Sequence, residues 1–221
     1  MQQAEEALPP VILGLREAII EGDVEDSVAI GQEALSEGLD AQYITLNGVV
    51  PAMDVVGQEF EEGAYFLPEM MASALGARGI MDILSPYLTE AGTEPVGKAI
   101  IATVKGDLHD IGKNMVGMML EGAGYEIIDL GVDVPPEKFV EAIQKSDAQL
   151  VGLSALLTTT MPMMRNTIRA IENAGVRDEV KVMVGGAGVT QEFADDIGAD
   201  GYARDASAAV RKARDLLAVS P

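Results

Sequence analysis

The chain of 221 residues contains no cysteine, no tryptophan and a single histidine, His109. Without cysteine there is no disulfide framework, no thiolate metal site and no cysteine nucleophile. One histidine also makes a closed structural zinc site improbable, because such a site takes four protein ligands. Basic residues are scarce: 15 Lys and Arg stand against 36 Asp and Glu, a formal net charge of -21. That balance argues against binding nucleic acid or anionic membranes, both of which need clustered Lys and Arg. No apolar run approaches the ~18 residues of a membrane span. Met1 to Ala7 is acidic where a secretory leader would be basic. These absences lead us to expect a soluble, cytoplasmic protein with no nucleic-acid or membrane partner. What the chain does have, 48% hydrophobic residues, is enough to bury a core.

From Pro9 to about Glu90 the pattern is helical. Pro10 suits a first turn, and Val11, Leu15, Ala18 and Ile19 share a face until Gly22 ends the helix. Asp23 caps a second helix, with Val24, Val28, Gly31 and Leu35 in register and Gly38 as the stop. Asp40 caps a third carrying Ile44, Val50, Met53, Val56 and Phe60, which Pro51 is expected to kink. A fourth runs along Met70, Ala74, Ala77, Met81, Leu84 and Leu88, with Pro86 expected to bend or shorten its end. Four amphipathic helices on short loops make a bundle. At the entry to the last helix, Phe66, Leu67 and Met70 concentrate apolar bulk. Ordinary core packing and an apolar cover over a ligand are both open readings of them.

Ala91 to Gly97 is rich in turn formers. The expected organisation is therefore a helical domain over 1–91, a linker over 92–97 and a second domain over 98–221. In the latter, strands and helices alternate: strands at Lys98–Thr103, Tyr125–Leu130, Gln149–Leu153, Lys181–Val184 and Gly201–Ala203, each followed by a helix. Five βα units with continuously apolar strands imply a parallel sheet covered on both faces, of flavodoxin-like (Rossmann-like) order 2-1-3-4-5. Ligands in such folds bind outside the carboxyl ends of the strands at the topological switch, here between strands one and three. Three unusual stretches fall at such ends: Asp107 to Gly112, Ser154 to Thr160, and Gly185-Gly186.

Each stretch has a chemistry. His109 can offer a neutral ring nitrogen to a metal, and Asp107 could accept from the other nitrogen, fixing the tautomer. Ser154, Thr158, Thr159 and Thr160 offer hydroxyls in one short loop. Gly185, Gly186 and Gly188 remove bulk so that something broad can approach the backbone. Helix caps and turn glycines are the plain alternatives for each stretch taken alone; their convergence on one rim favours a site. Two decoys fall away. Gly106 and Gly112-Lys113 imitate a P-loop with one residue too many and Asn114 in place of the hydroxyl, and Gly185-Gly186-Ala187-Gly188 is no dinucleotide fingerprint. A metal bound through one protein ligand must bring its other ligands along, as a macrocyclic cofactor does.

The chain resembles the cobalamin-binding corrinoid proteins of methyltransferase systems and is similar to the cobalamin module of methionine synthase. Their signature is D-x-H-x-x-G, then S-x-L, then G-G. Here it reads Asp107-Leu108-His109-Asp110-Ile111-Gly112, Ser154-Ala155-Leu156 and Gly185-Gly186. The resemblance covers nearly the whole chain, since the family also places a four-helix cap before its α/β domain.

The resemblance implies that His109 binds cobalt from below in base-off cobalamin, with Asp107 and Thr160 continuing a hydrogen-bonded relay. The nucleotide tail would pass Ser154, Leu156 and the Gly185-Gly186 opening, near Thr158, Tyr202, Ala203 and Asp205, with Asp110, Ile111 and Gly112 beside the cofactor. Phe66, Leu67 and Met70 would shield the upper face. The implied function is a methyl carrier, non-catalytic alone. One substrate-specific methyltransferase would load Co(I) and a second would unload methyl-Co(III) to tetrahydrofolate or a thiol, with a reductive activase as a further partner. An adenosylcobalamin-binding sensor or a mutase small subunit are the alternatives. The chain lacks a DNA-binding segment and an upper-face tryptophan for the first, and its cap is atypical of the second.

Overall fold

The structure is a computed structural model that describes residues 8–218; the acidic stretch Met1 to Ala7 lies outside them. The chain divides into two compact units, 1–94 and 95–221.

The first unit is helical: α1 (Pro10–Glu21), α2 (Val24–Ser36), α3 (Ala41–Ile44), α4 (Val50–Glu62) and α5 (Leu67–Glu90). The Asp23 and Asp40 carboxylates accept from the first backbone N–H groups of α2 and α3, as N-caps do. Gly22 and Gly63 end α1 and α4 in the left-handed conformation. The third expected helix is not simply kinked. It breaks into α3 and α4 around one π turn, Thr45–Val49. Pro51 cannot donate to the carbonyl of Asn47 and its ring crowds it. That carbonyl instead accepts from Arg16 Nε at 2.6 Å. Pro86 sits near the end of α5 without shortening it.

The buried face of α2 also differs from expectation. Ser27, Gly31 and Ala34 are buried, whereas Val24 is exposed and Val28 and Leu35 are half-buried. The reason is close packing on α5. A Cβ on Gly76 would lie 3.0 Å from Ser27 Oγ, one on Gly31 3.2 Å from Ile80, and one on Gly79 2.8 Å from Val28. Small residues face the neighbouring helix, and the larger ones flank the seam. In α1 the fully buried position of the first turn is Ile12, with Val11 only half-buried.

The second unit holds β1 (Gly97–Thr103), α6 (Ile111–Gly122), β2 (Tyr125–Asp129), α7 (Pro136–Lys145), β3 (Leu150–Ser154), α8 (Pro162–Asn173), β4 (Lys181–Gly185), α9 (Gln191–Ile197), β5 (Gly201–Ala203) and α10 (Ala206–Leu217). The five strands are parallel in the order β2-β1-β3-β4-β5, as the doubly-wound reading requires. On one side α6 packs beside α10; α7 packs beside α8, which touches α9. Ile101 turns toward α6, where Gly117 leaves room for it: a Cβ there would sit 2.8 Å from its Cδ1. Ile100 turns the other way, into a core with Phe139, Ile143, Val151, Met164, Ile168 and Val182. The alternation follows from strand geometry.

Register then brings the signature together. Thr103 pairs with Ser154, Ser154 with Gly185, and Gly185 with Ala203, so four strand ends form one row. Beyond it, Val104 N donates to Ser154 O at 3.0 Å and Ala155 N to Gly185 O at 3.3 Å.

Candidate functional site

The β1–α6 loop turns at Gly106, whose φ of 86° is left-handed. It drops the Asp107 side chain into the protein and leaves that of His109 outside: Asp107 is 0% exposed and His109 52%. Asp107 Oδ1 accepts from His109 Nδ1 at 2.7 Å and from its backbone N–H at 3.1 Å. Oδ2 accepts from Leu156 N at 2.9 Å, Leu157 N at 3.2 Å and Thr160 Oγ1 at 2.6 Å. Thr103 Oγ1 donates to the His109 carbonyl at 3.0 Å, tying the far side of the loop to β1.

Burial alone would push the Asp107 carboxyl up, and it is the largest single influence. The hydrogen bonds from Thr160, from the His109 ring and backbone, and from Leu156 outweigh it and hold the group well below the usual carboxylate range. An ionised carboxylate only accepts, so the nitrogen facing it carries the ring proton. The histidine is thereby set as the Nδ1–H tautomer, with a lone pair on Nε2.

Around this imidazole the surface is aliphatic. Leu108 and Ile111 are each 69% exposed, Leu156 40% and Leu157 43%. Large aliphatic side chains held in water beside a polar pair mark a surface that something else covers. Among the described residues no group of three or more His, Cys, Asp or Glu could hold a metal ion. One exposed imidazole in loops that carry exposed aliphatic side chains suits a metal centre that brings its other ligands with it. On chemistry the residues fit cobalamin.

The other expected residues are distributed as follows. Asp110 occupies the N-cap position of α6 without capping through its side chain, and instead accepts from Asn114 Nδ2 at 3.1 Å. Ile111 lies on the exposed side of α6, apart from the buried Met115 and Met119. Gly112 has open space around its α-carbon. Thr158 is exposed, and Ser154 and Tyr202 are half-buried. Asp205 is the N-cap of α10, accepting from Ala208 N at 2.7 Å.

The glycine pair packs closely on the protein's own backbone: a Cβ on Gly186 would lie 1.9 Å from Ala155 O, and one on Gly185 3.0 Å from Ala203 O. Gly186 lets the turn after β4 press on the loop after β3, which carries the Leu156 and Leu157 N–H groups to Asp107, and Gly185 lets β4 lie close to the end of β5. In the helical unit, Phe66 and Leu67 are exposed, whereas Met70 is fully buried. Sequence reasoning passed over Leu108, Leu157 and Thr103. Two aliphatic residues inside otherwise polar loops, and a hydroxyl ending an apolar strand, were the available signals.

Both units match models of known domains: residues 11–85 and residues 97–211 each match a B12 binding domain. The chain is 42% identical over 206 residues to a corrinoid protein of Desulfitobacterium hafniense, covering 92% of this chain and 95% of that one. It is 39% identical to a trimethylamine corrinoid protein of Methanosarcina acetivorans, covering 94% of this chain and 97% of the relative. Among solved structures, a chain of the methanol:cobalamin methyltransferase complex of Methanosarcina barkeri superposes with a TM-score of 0.83 at 30% identity, covering 98% of this chain and 87% of that chain. A cobalamin-binding protein from Desulfitobacterium hafniense gives 0.76 at 29% identity, covering 93% and 98%. No helix among the described residues is long and apolar enough to cross a membrane. With both halves matched and relatives aligned over nearly their full length, the chain belongs to the B12-binding corrinoid proteins.

Proposed function

We propose that this protein is a methyl carrier that holds cobalamin base-off through His109 Nε2, and that its methyl groups come from a methylated amine. The observation that carries the reading is the exposed imidazole of His109, fixed by the buried Asp107 carboxylate at 2.7 Å, in loops that also carry exposed aliphatic side chains. The full-length likeness to trimethylamine and dimethylamine corrinoid proteins supports the donor class. Cobalamin, when bound, supplies a cobalt centre able to take a methyl group from one methyltransferase and yield it to a second.

The chain's own residues do the rest. Asp107 keeps a proton on Nδ1 and so keeps the Nε2 lone pair available. That carboxyl, held in its ionised form, acts toward the ring only as an acceptor. Thr160, whose hydroxyl donates to Asp107 Oδ2 and lies 2.8 Å from Leu157 O, restrains the carboxylate from the inner side. Leu108, Ile111, Leu156 and Leu157 would lie against the cofactor and exclude water. Ser154, Thr158, Tyr202 and Asp205 remain our candidates for the tail, beside the Gly185-Gly186 turn. Phe66 and Leu67 are those for shielding the reactive face; Met70, being buried, serves the helical core instead. A second methyltransferase and a reductive activase complete the proposed set of partners.

The test is a transfer experiment. The reduced, cobalamin-loaded protein is mixed with a trimethylamine- or dimethylamine-specific methyltransferase and radiolabelled substrate. The label is expected to stay with the protein through gel filtration and to leave when a second methyltransferase and a thiol are added. Protein that takes up no label from any methylated amine, or keeps it in the second step, would overturn the carrier reading.

A further inference from the structure

The β2–α7 loop, 130–135, lies beside the site without supplying any residue described so far. It is stitched to the end of β1. Thr103 N donates to Gly131 O at 3.0 Å and Val134 N to Thr103 O at 3.1 Å. Lys113 of α6, although a lysine, is almost fully buried and paired with Asp129 at the end of β2. At the centre of the loop is Asp133, exposed, with φ 54°. Left-handed backbone is uncommon outside glycine, and a residue held there has usually been placed for a purpose.

The contacts of Asp133 suggest that purpose. Its Oδ1 accepts from Gly106 N at 2.7 Å, and its own backbone N–H donates to Asp107 O at 3.0 Å. It thus holds the N–H of the residue before Asp107 and the carbonyl of Asp107 itself. The remaining main-chain group, Asp107 N, donates to Val104 O at 3.1 Å. We propose that Asp133 is a positioning residue: it fixes the backbone on both sides of Asp107, and through that carboxylate the tautomer and orientation of His109. This deepens the reading of His109 as the nitrogen offered to cobalamin and rests on it. The left-handed φ brings the side-chain oxygen and the backbone N–H of one residue onto the same stretch of chain. Asp and Asn tolerate that conformation with an acceptor in hand; Gly tolerates it without one.

Three variants separate these contributions. Asp133→Asn keeps conformation and acceptor, Asp133→Gly keeps only the conformation, and Asp133→Ala keeps neither. The first readout needs no cofactor. With one histidine in the chain, the imidazole nitrogen shifts of the apoprotein at mildly alkaline pH report the His109 tautomer without ambiguity. The second is the affinity for hydroxocobalamin and the absorbance signature of imidazole ligation. Asp133→Asn is expected to match the wild type in both. Asp133→Gly is expected to lose about 3- to 10-fold in Nδ1–H tautomer bias and in affinity, the scale of one net hydrogen bond. Asp133→Ala is expected to lose at least as much, with a lower melting temperature besides. A glycine variant that keeps wild-type tautomer bias and affinity would overturn the proposal while leaving the site reading intact. If the tautomer shifts as expected but even the wild type shows no imidazole ligation, the positioning role stands and the cofactor reading fails.

Discussion

Asp107→Asn is expected to weaken cobalamin binding by roughly 10- to 100-fold, the range in which residues supporting a metal-bound histidine act. The substitution is nearly isosteric, so its effect isolates the charge and the acceptors. Asp107 accepts from five donors: two on His109, and one each on Leu156, Leu157 and Thr160. A carboxamide has one oxygen and an NH2 group. Placed to keep the oxygen on Leu156, Leu157 and Thr160, it turns its NH2 toward His109. The imidazole must then accept at Nδ1, which moves its proton to Nε2 and occupies the nitrogen offered to the metal. Turned the other way, it leaves the three inner donors facing an NH2 group. Stability should fall by about 2–3 kcal/mol, the cost of losing a charged acceptor over buried donors.

The same residue sets an acid limit. Its carboxyl is held below the unfolded value, so the stability it contributes is complete above the ordinary carboxylate range and is lost as pH falls toward the folded-state value. The Asp107→Asn protein should lack this part of the acid transition. Titrating hydroxocobalamin into both proteins, with urea unfolding at neutral and acidic pH, checks the whole set. Equal affinity and parallel acid unfolding would show that the carboxylate does not set the ring.

Gly186→Ala should be the most damaging small substitution in the second unit. Its φ is 134°, and the added Cβ would sit 1.9 Å from a backbone oxygen that has no flexible end to yield. Backbone strain and overpacking each cost about 1–3 kcal/mol, so the loss should reach about 3–5 kcal/mol. Gly175 is the control. Its φ is 75° with nothing within 4 Å of the added atom, and alanine there should cost only about 1–2 kcal/mol. The damage at Gly186 should also reach the site, because the displaced Ala155 carries Leu156 and Leu157, whose N–H groups bind Asp107. Denaturant midpoints for the two variants decide the matter. A Gly186→Ala protein no less stable than Gly175→Ala would mean that the close approach is not a constraint.

These expectations differ in how far the sequence alone could carry them. The β2-β1-β3-β4-β5 order was legible because buried parallel strands announce themselves as apolar runs separated by helical patterns. The pairing of Asp107 with His109 was legible because the two stand only two residues apart in a loop that must follow a strand. Thr160 became a candidate through family resemblance, since nothing local marks a threonine as the partner of a carboxylate 53 positions away. The donors on Leu156 and Leu157 were not legible: they belong to the backbone, and any side chain could have carried them. The glycines were seen, but their close packing on Ala155 and Ala203 was not legible, because a missing Cβ does not say what lies beside it. Asp133 escaped notice for a similar reason, as its importance lies in a φ angle. In the helical unit, the pattern of α2 pointed to Val24, Val28, Gly31 and Leu35; Gly31 is buried as read, but close helix contact favoured Ser27 and Ala34 over the three larger residues.

The central claim is that the imidazole of His109 would supply the protein's nitrogen donor to the cofactor's metal. Electron paramagnetic resonance of the protein loaded with cob(II)alamin reads that bond through the splitting from the coordinating nitrogen. Because His109 is the only histidine, growth on nitrogen-15 histidine labels this one ring. The account predicts that the triplet of the unlabelled protein becomes a doublet in the labelled one and that His109→Ala abolishes the change. A triplet that persists after labelling would place the cofactor's own base on cobalt and contradict the account.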